Sequence, residues 1–393
     1  MLAKRMQKVS VSATNALAAK IDAMRADGME ILAFHIGEPD FDTPEKILEA
    51  GNKALAEGKT RYVSVSGIPE LKKAVAEKLE KENGMHYEPS QICISTGAKQ
   101  AVYNAIMAVV DEGDEVLIPT PCWVSYVDMV KMANGTPVLV KPGKDYTLDL
   151  EAIEAAVTDK TKLIVINTPN NPTGACYDRE SLLKLGEMAV KYDFYILADE
   201  VYEKLIYGKE HVSVASLSDE IYAHSITVNG FSKAFAMTGW RLGYSAAPAD
   251  VAKAIVAIQS NCTSNSTSFV QYAALTALKE CEADVLRMKE EYERRRDYAY
   301  MRMSSIPGVT CTKPDGAFYL MPDITSFLGK KGNGKVIENS MDLCAYVLEE
   351  AKIAITPGDA FKMPGTIRLA YPASMADIKE GMDRLEQALA KIQ

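Results

Sequence analysis

The sequence predicts an α/β protein, with a large domain built on a mostly parallel seven-stranded sheet flanked by helices and a smaller α+β domain. Three observations lead to this prediction. The 393 residues are too many for one minimal core. Short apolar runs alternate with helical patterns from about residue 90, as in a wound sheet. After about residue 285 this alternation gives way to a different pattern.

The strands of the large sheet are expected at seven short apolar runs. The runs are nearly continuous rather than alternating, which indicates strands that are buried on both faces. Apolar residues recur at helical spacing between most of them, for example over residues 96–110. The runs are QICIS (91–95), EVLIPT (115–120), TPVLV (136–140), KLIVIN (162–167), FYILAD (194–199), SITVNG (225–230) and LGYSAA (242–247).

The rest of the chain supplies a second domain and a leading segment. Residues 286–393 begin in a long charged helix and continue with a Gly/Lys-rich loop at 329–335, two more helices and several β-like runs. We expect them to form the small domain, and residues 46–285 to form the large one. Residues 1–45 hold one helix-like stretch and an irregular run, too little to fold alone, so we expect them to pack on the small domain.

The charge balance argues against a nucleic-acid-binding protein. The formal net charge is −9 at pH 7, whereas phosphate neutralisation needs a clustered basic surface. The basic run Arg294-Arg295-Arg296 follows Glu290, Glu291 and Glu293. We interpret it as a solvated helix face with local ion pairs.

Cysteine usage and the lack of long apolar segments indicate a cytoplasmic protein. The seven cysteines are scattered, odd in number and without a CxxC pair, which favours reduced thiols over a disulfide frame or a zinc site. No run approaches the roughly 18 apolar residues that a membrane helix needs, and no apolar signal-peptide core follows the basic N-terminus. We therefore expect no metal, membrane or nucleic-acid partner.

Polar residues follow several predicted strands, where ligands bind in open α/β sheets. Thr96-Gly97-Ala98-Lys99 opens a helix whose free N–H groups and dipole attract phosphate, although an ordinary helix start fits these residues too. Trp123 comes soon after the next strand, either as a core residue or as a stacking platform. NNPTG (170–174) forms a tight turn that offers Asn amides.

Asp199 and Lys233 are the ionisable candidates at these strand ends. A carboxylate at the edge of a buried sheet needs a cationic or hydrogen-bonding partner, which makes Asp199 a candidate ligand-binding residue. The alternative interpretation is that Asp199 only caps the start of a helix. A lysine kept from water has a lowered pKa and a nucleophilic amine suited to Schiff-base chemistry, and Lys233 is the candidate for this role. The alternative interpretation is that Lys233 is an ordinary solvated lysine.

Together these residues describe one ligand. A phosphate-binding helix start, an aromatic plate, an amide, a carboxylate and a lysine suit a phosphorylated aromatic aldehyde with a ring nitrogen. Pyridoxal 5′-phosphate (PLP) needs a lysine for its aldehyde and a carboxylate that keeps its pyridine nitrogen protonated. PLP is therefore the cofactor that the sequence predicts.

The run from GFSK (230–233) to GWRLG (239–243) resembles the PLP-attachment motif of the class I aminotransferases, which have PLP-transferase fold type I. Within that family the chain is most similar to the bacterial aspartate aminotransferase branch that includes the aspartate/prephenate aminotransferases. The resemblance covers nearly the whole chain. Further matching segments are IGEPDFDTP (36–44), GKTRYVSVSG (58–67), TGAKQA (96–101), CWVSY (122–126), NNPTG (170–174), DEVY (199–202) and IRLAY (367–371).

The resemblance implies a role for each cofactor-binding residue. Lys233 would carry PLP covalently and then act as the general acid/base at the substrate Cα. Asp199 would pair with the pyridine nitrogen, and Trp123 would stack on the ring. Tyr202 and Asn171 would hydrogen-bond the ring oxygen, which lowers the pKa of the Schiff base. The phosphate would be held by Arg241, Ser232, Gly97 and the N–H groups of Ala98 and Lys99.

Gly230 departs from a pattern common in the family. Many members have a serine at this position, and its hydroxyl contacts the phosphate. We therefore expect phosphate binding to depend more on Arg241 and Ser232 in this chain.

The resemblance also implies a ping-pong amino transfer with glutamate/2-oxoglutarate as one substrate pair. Arg368 would clamp the α-carboxylate bidentately, and Gly37 would let the backbone approach the substrate. Lys99 would meet the distal carboxylate of aspartate, with Ser12-Ala13-Thr14 closing over it, unless Lys99 is a solvated charge or a neighbour of the phosphate.

Aspartate is the first choice of amino acid, with prephenate as a second amino acceptor. Trp123 and Asn171 would contact the substrate as well as PLP. Tyr62 would reach the phosphate of the neighbouring subunit, so the expected unit is a homodimer.

Other functions remain open from the sequence. An aminotransferase for aromatic amino acids would differ only in its substrate. A C–S lyase of the same fold would share Lys233 and Asp199 but would release pyruvate and ammonia without a keto-acid acceptor. A non-enzymatic regulator would carry an attached DNA-binding segment, for which the N-terminal residues are too few.

Overall fold

The computed structural model describes residues 4–7 and 15–393. Its first elements are α1 (Asn15–Ala26), β1 (Leu32–Ala33), α2 (Glu45–Ala56) and α3 (Pro69–Asn83). Helix α3 begins with a proline, whose missing N–H costs nothing in the first turn, and ends before Gly84, which takes the left-handed conformation.

All seven predicted strands of the large sheet are confirmed. Along the sheet their order is β2-β8-β7-β6-β5-β3-β4. Strand β8 is antiparallel to both of its neighbours, and the other pairs are parallel. The strands are β2 (Ile92–Ser95), β3 (Glu115–Pro119), β4 (Thr136–Val140), β5 (Thr161–Asn167), β6 (Tyr195–Asp199), β7 (Ser225–Gly230) and β8 (Gly243–Ala246).

Helices cover both faces of this sheet, which explains the continuous apolar runs. On β5, Leu163 and Val165 join the core beneath α4, α5 and α9, whereas Ile164 and Ile166 join the core beneath α6, α7 and α8. These helices and α10 are α4 (Ala98–Val109), α5 (Ser125–Met132), α6 (Leu150–Ala156), α7 (Arg179–Tyr192), α8 (Asp219–Ala223), α9 (Ala249–Cys262) and α10 (Ser268–Glu280).

The C-terminal part is an α+β unit with its own core. Strands β13, β14 and β9 form an antiparallel sheet, and β1 pairs in parallel with β12, which ties the leading segment to this unit. The boundaries at residues 45 and 285 stay predictions. The elements are α11 (Glu282–Ser305), β9 (Tyr319–Leu320), β10 (Lys331–Gly332), β11 (Lys335–Val336), α12 (Ser340–Ala351), β12 (Ile353–Ala354), β13 (Thr356–Pro357), β14 (Ile367–Ala370) and α13 (Met375–Leu389).

Two sequence-based expectations need correction here. The Gly/Lys-rich segment 329–335 is not only a loop, since β10 and β11 pair within it as a short antiparallel hairpin. The basic run on α11 is solvated only at Arg294, because Arg295 and Arg296 are buried. Arg295 donates to Asp40 at 2.7 Å, and the Arg296 guanidinium lies 4.6 Å from the ring centre of Tyr207.

Among the helices that the structure describes, none combines the length and the apolar composition needed to cross a lipid bilayer.

Candidate active site

A cavity of about 520 Å³ lies where the leading segment, the ends of the large-sheet strands and the C-terminal unit meet. It is the place where the topology brings the carboxyl ends of β5, β6 and β7 together. Eleven of the residues predicted from the sequence line it: Gly37, Ala98, Lys99, Trp123, Asn171, Asp199, Tyr202, Ser232, Lys233, Arg241 and Arg368.

Lys233 reaches into this cavity from the turn after β7. Its Nζ donates to the carbonyl oxygen of Gly37 at 2.6 Å and lies 5.8 Å from the ring centre of Tyr202. Burial, and then the charge of Arg368, lower the pKa of Lys233 to about 8. At pH 7 roughly one amine in ten is therefore neutral and nucleophilic, far more than for an ordinary lysine.

Asp199 ends β6 with its carboxylate almost fully buried. Tyr126 Oη donates to Oδ2 at 2.6 Å, and the Val201 N–H donates to Oδ1 at 3.3 Å. Burial raises the pKa of Asp199 to about 6, against the opposing effect of these hydrogen bonds. The residues after Asp199 form turns rather than a helix, so Asp199 is not a helix cap. A buried carboxylate of this kind favours a cationic ligand.

A candidate anion site lies at the start of α4. Gly97 precedes the helix at a φ of +82°, and a Cβ on it would overlap the guanidinium of Arg241. The first N–H groups of a helix have no partner within it, so those of Ala98 and Lys99 are available beside a cation. Arg241 is fixed by donation from Nη1 to the Thr238 carbonyl oxygen at 2.7 Å.

Two glycines allow this close approach of α4 to the sheet. A Cβ on Gly243 would overlap the backbone nitrogen of Ala98. A Cβ on Gly230 would lie 3.2 Å from Gly243 Cα and 3.5 Å from Ala98 Cβ. Position 230 thus packs against the first turn of α4, and its effect on phosphate binding stays a prediction.

Arg368 projects from β14 at the other end of the cavity. It donates from Nη1 to Asn171 Oδ1 at 3.0 Å and from Nη2 to the His35 carbonyl oxygen at 2.7 Å. The guanidinium lies 4.6 Å from the ring centre of Tyr319 and 4.8 Å from that of Phe361. The fork is therefore held in one orientation and suits a planar carboxylate.

Lys99 and Trp123 form one side of the cavity. Lys99 Nζ lies 4.8 Å from the centre of the Trp123 ring, and the rings of Trp123 and Tyr126 meet edge to face at 5.3 Å. Burial, and then Arg241, lower the pKa of Lys99. Trp123 is only partly buried and faces the cavity, as a stacking residue would.

Three predicted features stand apart from the cavity lining. Gly97 lies behind Arg241, as described above. Tyr62 is 90% exposed on this single chain and does not line the cavity. The segment Ser12-Ala13-Thr14 falls outside the described residues.

Several lining residues were not predicted from the sequence. Tyr126 and Glu38 lie in the matching segments CWVSY and IGEPDFDTP, so the motifs could have pointed to them. Tyr319 donates to or accepts from Tyr202 Oη at 2.6 Å, yet its apolar surroundings in the sequence gave no signal. Asn167 accepts from the Asn171 N–H at 2.7 Å and positions the NNPTG turn.

The described residues fit PLP. The guanidinium of Arg241, beside the first N–H groups of α4, suits a phosphate, the buried carboxylate of Asp199 suits a protonated ring nitrogen, and Lys233 suits an aldehyde. Tyr202 and Asn171 line the same cavity, and the Asn171 side chain accepts a hydrogen bond from Arg368.

Comparison with known proteins agrees with this geometry. The family model "Aminotransferase class I and II" matches residues 29–385. A probable aspartate/prephenate aminotransferase of Aquifex aeolicus is 46% identical over 100% of this chain and 99% of its own. The aspartate aminotransferase structure from Rhizobium meliloti is 39% identical with a TM-score of 0.96, covering 100% of both chains. An aspartate aminotransferase structure from Thermus thermophilus with maleate is 39% identical with a TM-score of 0.93, covering 99% of both. With this match over almost its whole length, the chain belongs to the class I and II aminotransferase family and is a transaminase.

Proposed function

We propose that this transaminase uses PLP to move an amino group between aspartate and 2-oxoglutarate by a ping-pong mechanism. The observation that carries the proposal is the convergence of Lys233, Asp199 and Arg368 on one cavity. Lys233 suits the aldehyde of PLP, Asp199 suits its ring nitrogen, and Arg368 suits the α-carboxylate of the substrate. The names of the relatives support aspartate as the amino acid.

The chain's own residues would hold the cofactor at both ends. Asp199 would accept a hydrogen bond from the protonated ring nitrogen, and Arg241, Ser232 and the first turn of α4 would bind the phosphate. Trp123 would cover one face of the ring. When bound, PLP supplies an electron sink that makes the substrate Cα–H acidic.

Lys233 is the proposed proton carrier. With a pKa of about 8, its amine can take a proton from the substrate Cα and return one without a large free-energy cost at either step. Arg368 would bind the α-carboxylate and so orient the Cα–H toward that amine. The Gly37 carbonyl oxygen accepts a hydrogen bond from Lys233 Nζ, and a Cβ on Gly37 would overlap the hydroxyl of Tyr319, so glycine lets the backbone approach this side of the cavity.

A dicarboxylate preference is proposed from Lys99. Its amino group lines the cavity beside Trp123, and maleate, the ligand named for the Thermus structure, is a dicarboxylate. The nearby Arg241 also makes Lys99 a possible neighbour of the phosphate, so its role needs a separate test. The relatives named aspartate/prephenate aminotransferase support prephenate as a second amino acceptor.

A homodimer is proposed as the working unit. Tyr62 is 90% exposed, and Leu48 and Leu55 on α2 expose 42% and 43% of their surface. Exposed apolar side chains of this kind favour a subunit interface. A partner subunit would then bring its own Tyr62 to the phosphate.

The deciding experiment measures amino transfer from a panel of donors to 2-oxoglutarate and oxaloacetate, with prephenate as a further acceptor. We expect aspartate and glutamate to be the best donors. Borohydride reduction of the coloured protein should fix PLP on Lys233, and a modified peptide elsewhere would reject that assignment. Release of pyruvate and ammonia without any acceptor would identify a C–S lyase instead.

A further inference from the structure

The turn that follows β6 presents its side chains to two sides. Asp199 and Tyr202 face the active-site cavity, whereas Glu200 and Glu203 do not line it. Both glutamates are nevertheless buried, with 0% and 8% of their surface exposed. Two buried carboxylates so close in the chain need compensation by cations or hydrogen bonds.

Most of that compensation comes from a network behind the turn, and only Glu200 Oε1 is left without a hydrogen-bond partner among the described oxygens of the two glutamates. Glu200 Oε2 accepts from Ser213 Oγ at 2.6 Å and lies 3.0 Å from His211 Nε2. Glu203 forms an ion pair with Lys78 and accepts from Asn83 Nδ2 at 2.7 Å. Asn83 Nδ2 also donates to Ser213 Oγ at 2.9 Å, which links the two halves. We call Lys78, Glu200, Glu203 and His211 the buried quartet.

The charges of the buried quartet cancel when His211 is protonated. Burial acts to lower the pKa of His211, but the carboxylates of Glu200 and Glu203 outweigh it and the pKa is raised. Burial likewise opposes ionisation of Glu203, yet Lys78 and His211 lower its pKa to about 2. The quartet then holds two positive and two negative charges.

The groups around the quartet are neutral or separately paired. Burial raises the pKa of Tyr87, which interacts electrostatically with Glu200, and of Tyr244, which interacts chiefly with Glu203, so both hydroxyls are neutral at physiological pH. Glu82 lies 3.7 Å from Lys78 but pairs with Lys204 at 2.6 Å, nearer the surface. His211 is therefore the member whose protonation changes the net charge of the quartet near neutral pH.

We propose that the buried quartet controls the ionisation of Asp199, with His211 as the positioning residue that keeps the network neutral. Glu200 is the chain neighbour of Asp199 and acts electrostatically against its ionisation. His211 Nε2 lies 3.0 Å from Glu200 Oε2, so a positive charge on His211 would offset that effect. Because Asp199 must be ionised to bind a protonated ring nitrogen, the quartet would set the lower pH limit of cofactor binding. This inference rests on the proposed function.

The test follows the pH dependence of cofactor affinity in the apoprotein. The probe is 4′-deoxypyridoxine 5′-phosphate, which keeps the ring and the phosphate but has no aldehyde for Lys233. Its dissociation constant is measured from pH 5 to 8 by calorimetry. His211→Gln keeps a donor for Glu200 but removes the charge, so we expect the acid midpoint of binding to rise above the wild-type value.

Two further variants separate charge from structure. In the double variant His211→Gln/Glu200→Gln the lost positive charge is matched by a lost negative one, so the midpoint should return to the wild-type value. Glu203→Gln removes a negative charge alone and should lower the midpoint; it also keeps the test available if His211→Gln does not fold. The matched control is His86→Gln, at an exposed histidine beside Glu80 and Glu88.

The outcomes distinguish this inference from the proposed function. Opposite shifts for His211→Gln and Glu203→Gln, with recovery in the double variant, would support the inference. An unchanged midpoint in His211→Gln, or a double variant further from wild type than the single one, would overturn it. Wild-type protein that does not bind the probe at any pH would instead reject the proposed PLP site.

Discussion

Lys233 and Asp199 are both held in protonation states that cost folding free energy. The pKa of Asp199 is about 6, above its usual value, so its ionised form destabilises the fold above pH 6 and this cost is relieved as the pH falls. The pKa of Lys233 is about 8, below its usual value, so its charged form destabilises the fold below pH 8 and this cost is relieved as the pH rises. Each cost is roughly 3 kcal/mol. Between pH 6 and 8 both apply, and a cofactor that pairs with Asp199 and bonds to Lys233 would relieve both.

Lys99→Ser tests whether Lys99 binds the distal carboxylate of the substrate. If Lys99 binds that carboxylate, kcat/KM for aspartate and glutamate should fall by about 1–3 kcal/mol of transition-state free energy, because a charge-assisted contact is lost. An uncharged amino donor should lose much less. Equal losses for all donors, together with weaker PLP binding, would place Lys99 at the phosphate instead. Lys253→Ser on the exposed face of α9 is the matched control.

Among the elements, the approach of α4 to β8 would build the proposed phosphate site. The helix can bring its first N–H groups beside Arg241 only because Gly97 and Gly243 lack side chains. The important sequence feature here is thus that Gly97 and Gly243 have no Cβ. The helix dipole alone would not predict that requirement.

Gly243→Ala should therefore displace the first turn of α4. The added Cβ would overlap backbone atoms of Gly97 and Ala98, which cannot rotate away as a flexible side chain could. We expect PLP affinity to fall about tenfold or more and the free energy of unfolding to fall by about 1–3 kcal/mol. The control is Gly239→Ala in the same motif, where a Cβ would have no heavy atom within 4 Å. Equal PLP affinity in the two variants would contradict this account.

Sequence patterns were enough to predict the elements that are encoded by a short run of neighbouring residues. Each strand of the large sheet appears as its own apolar run, and residues at strand ends share one edge of the sheet by topology. The burial of Arg295 could not be predicted in that way, because its partner Asp40 lies 255 positions away in the chain. Tyr319 was missed for the same reason, since only the fold brings it to Tyr202.

For the whole molecule, the proposed dimer makes each active site depend on two chains. We expect Tyr62 to serve a neighbouring site, because it is 90% exposed and does not line the cavity of its own chain. The chain offers a direct way to test this dependence, because Lys233 and Tyr62 would belong to different sites.

Mixing Tyr62→Ala and Lys233→Ala chains should restore activity. Each variant alone should be weak at limiting PLP, whereas a mixed dimer would contain one site with both residues intact. Random pairing of the two chains in twofold dimers should give about one such site in four. The measurement is transaminase activity after the chains are unfolded together and refolded, compared with the separately refolded variants. No gain on mixing would mean that Tyr62 does not act across a subunit interface.

The hydrogen bond between Lys233 Nζ and the Gly37 carbonyl oxygen joins parts of the chain that belong to different cores. The groups proposed to hold the cofactor lie almost entirely on the large domain, whereas Arg368 and Gly37 lie on the C-terminal unit and the leading segment. A molecule whose C-terminal core has loosened could keep its cofactor and its colour, yet it would have no fork to orient an amino acid. Bound cofactor would then show only that the large domain is folded, whereas amino transfer would show that the C-terminal unit is folded as well.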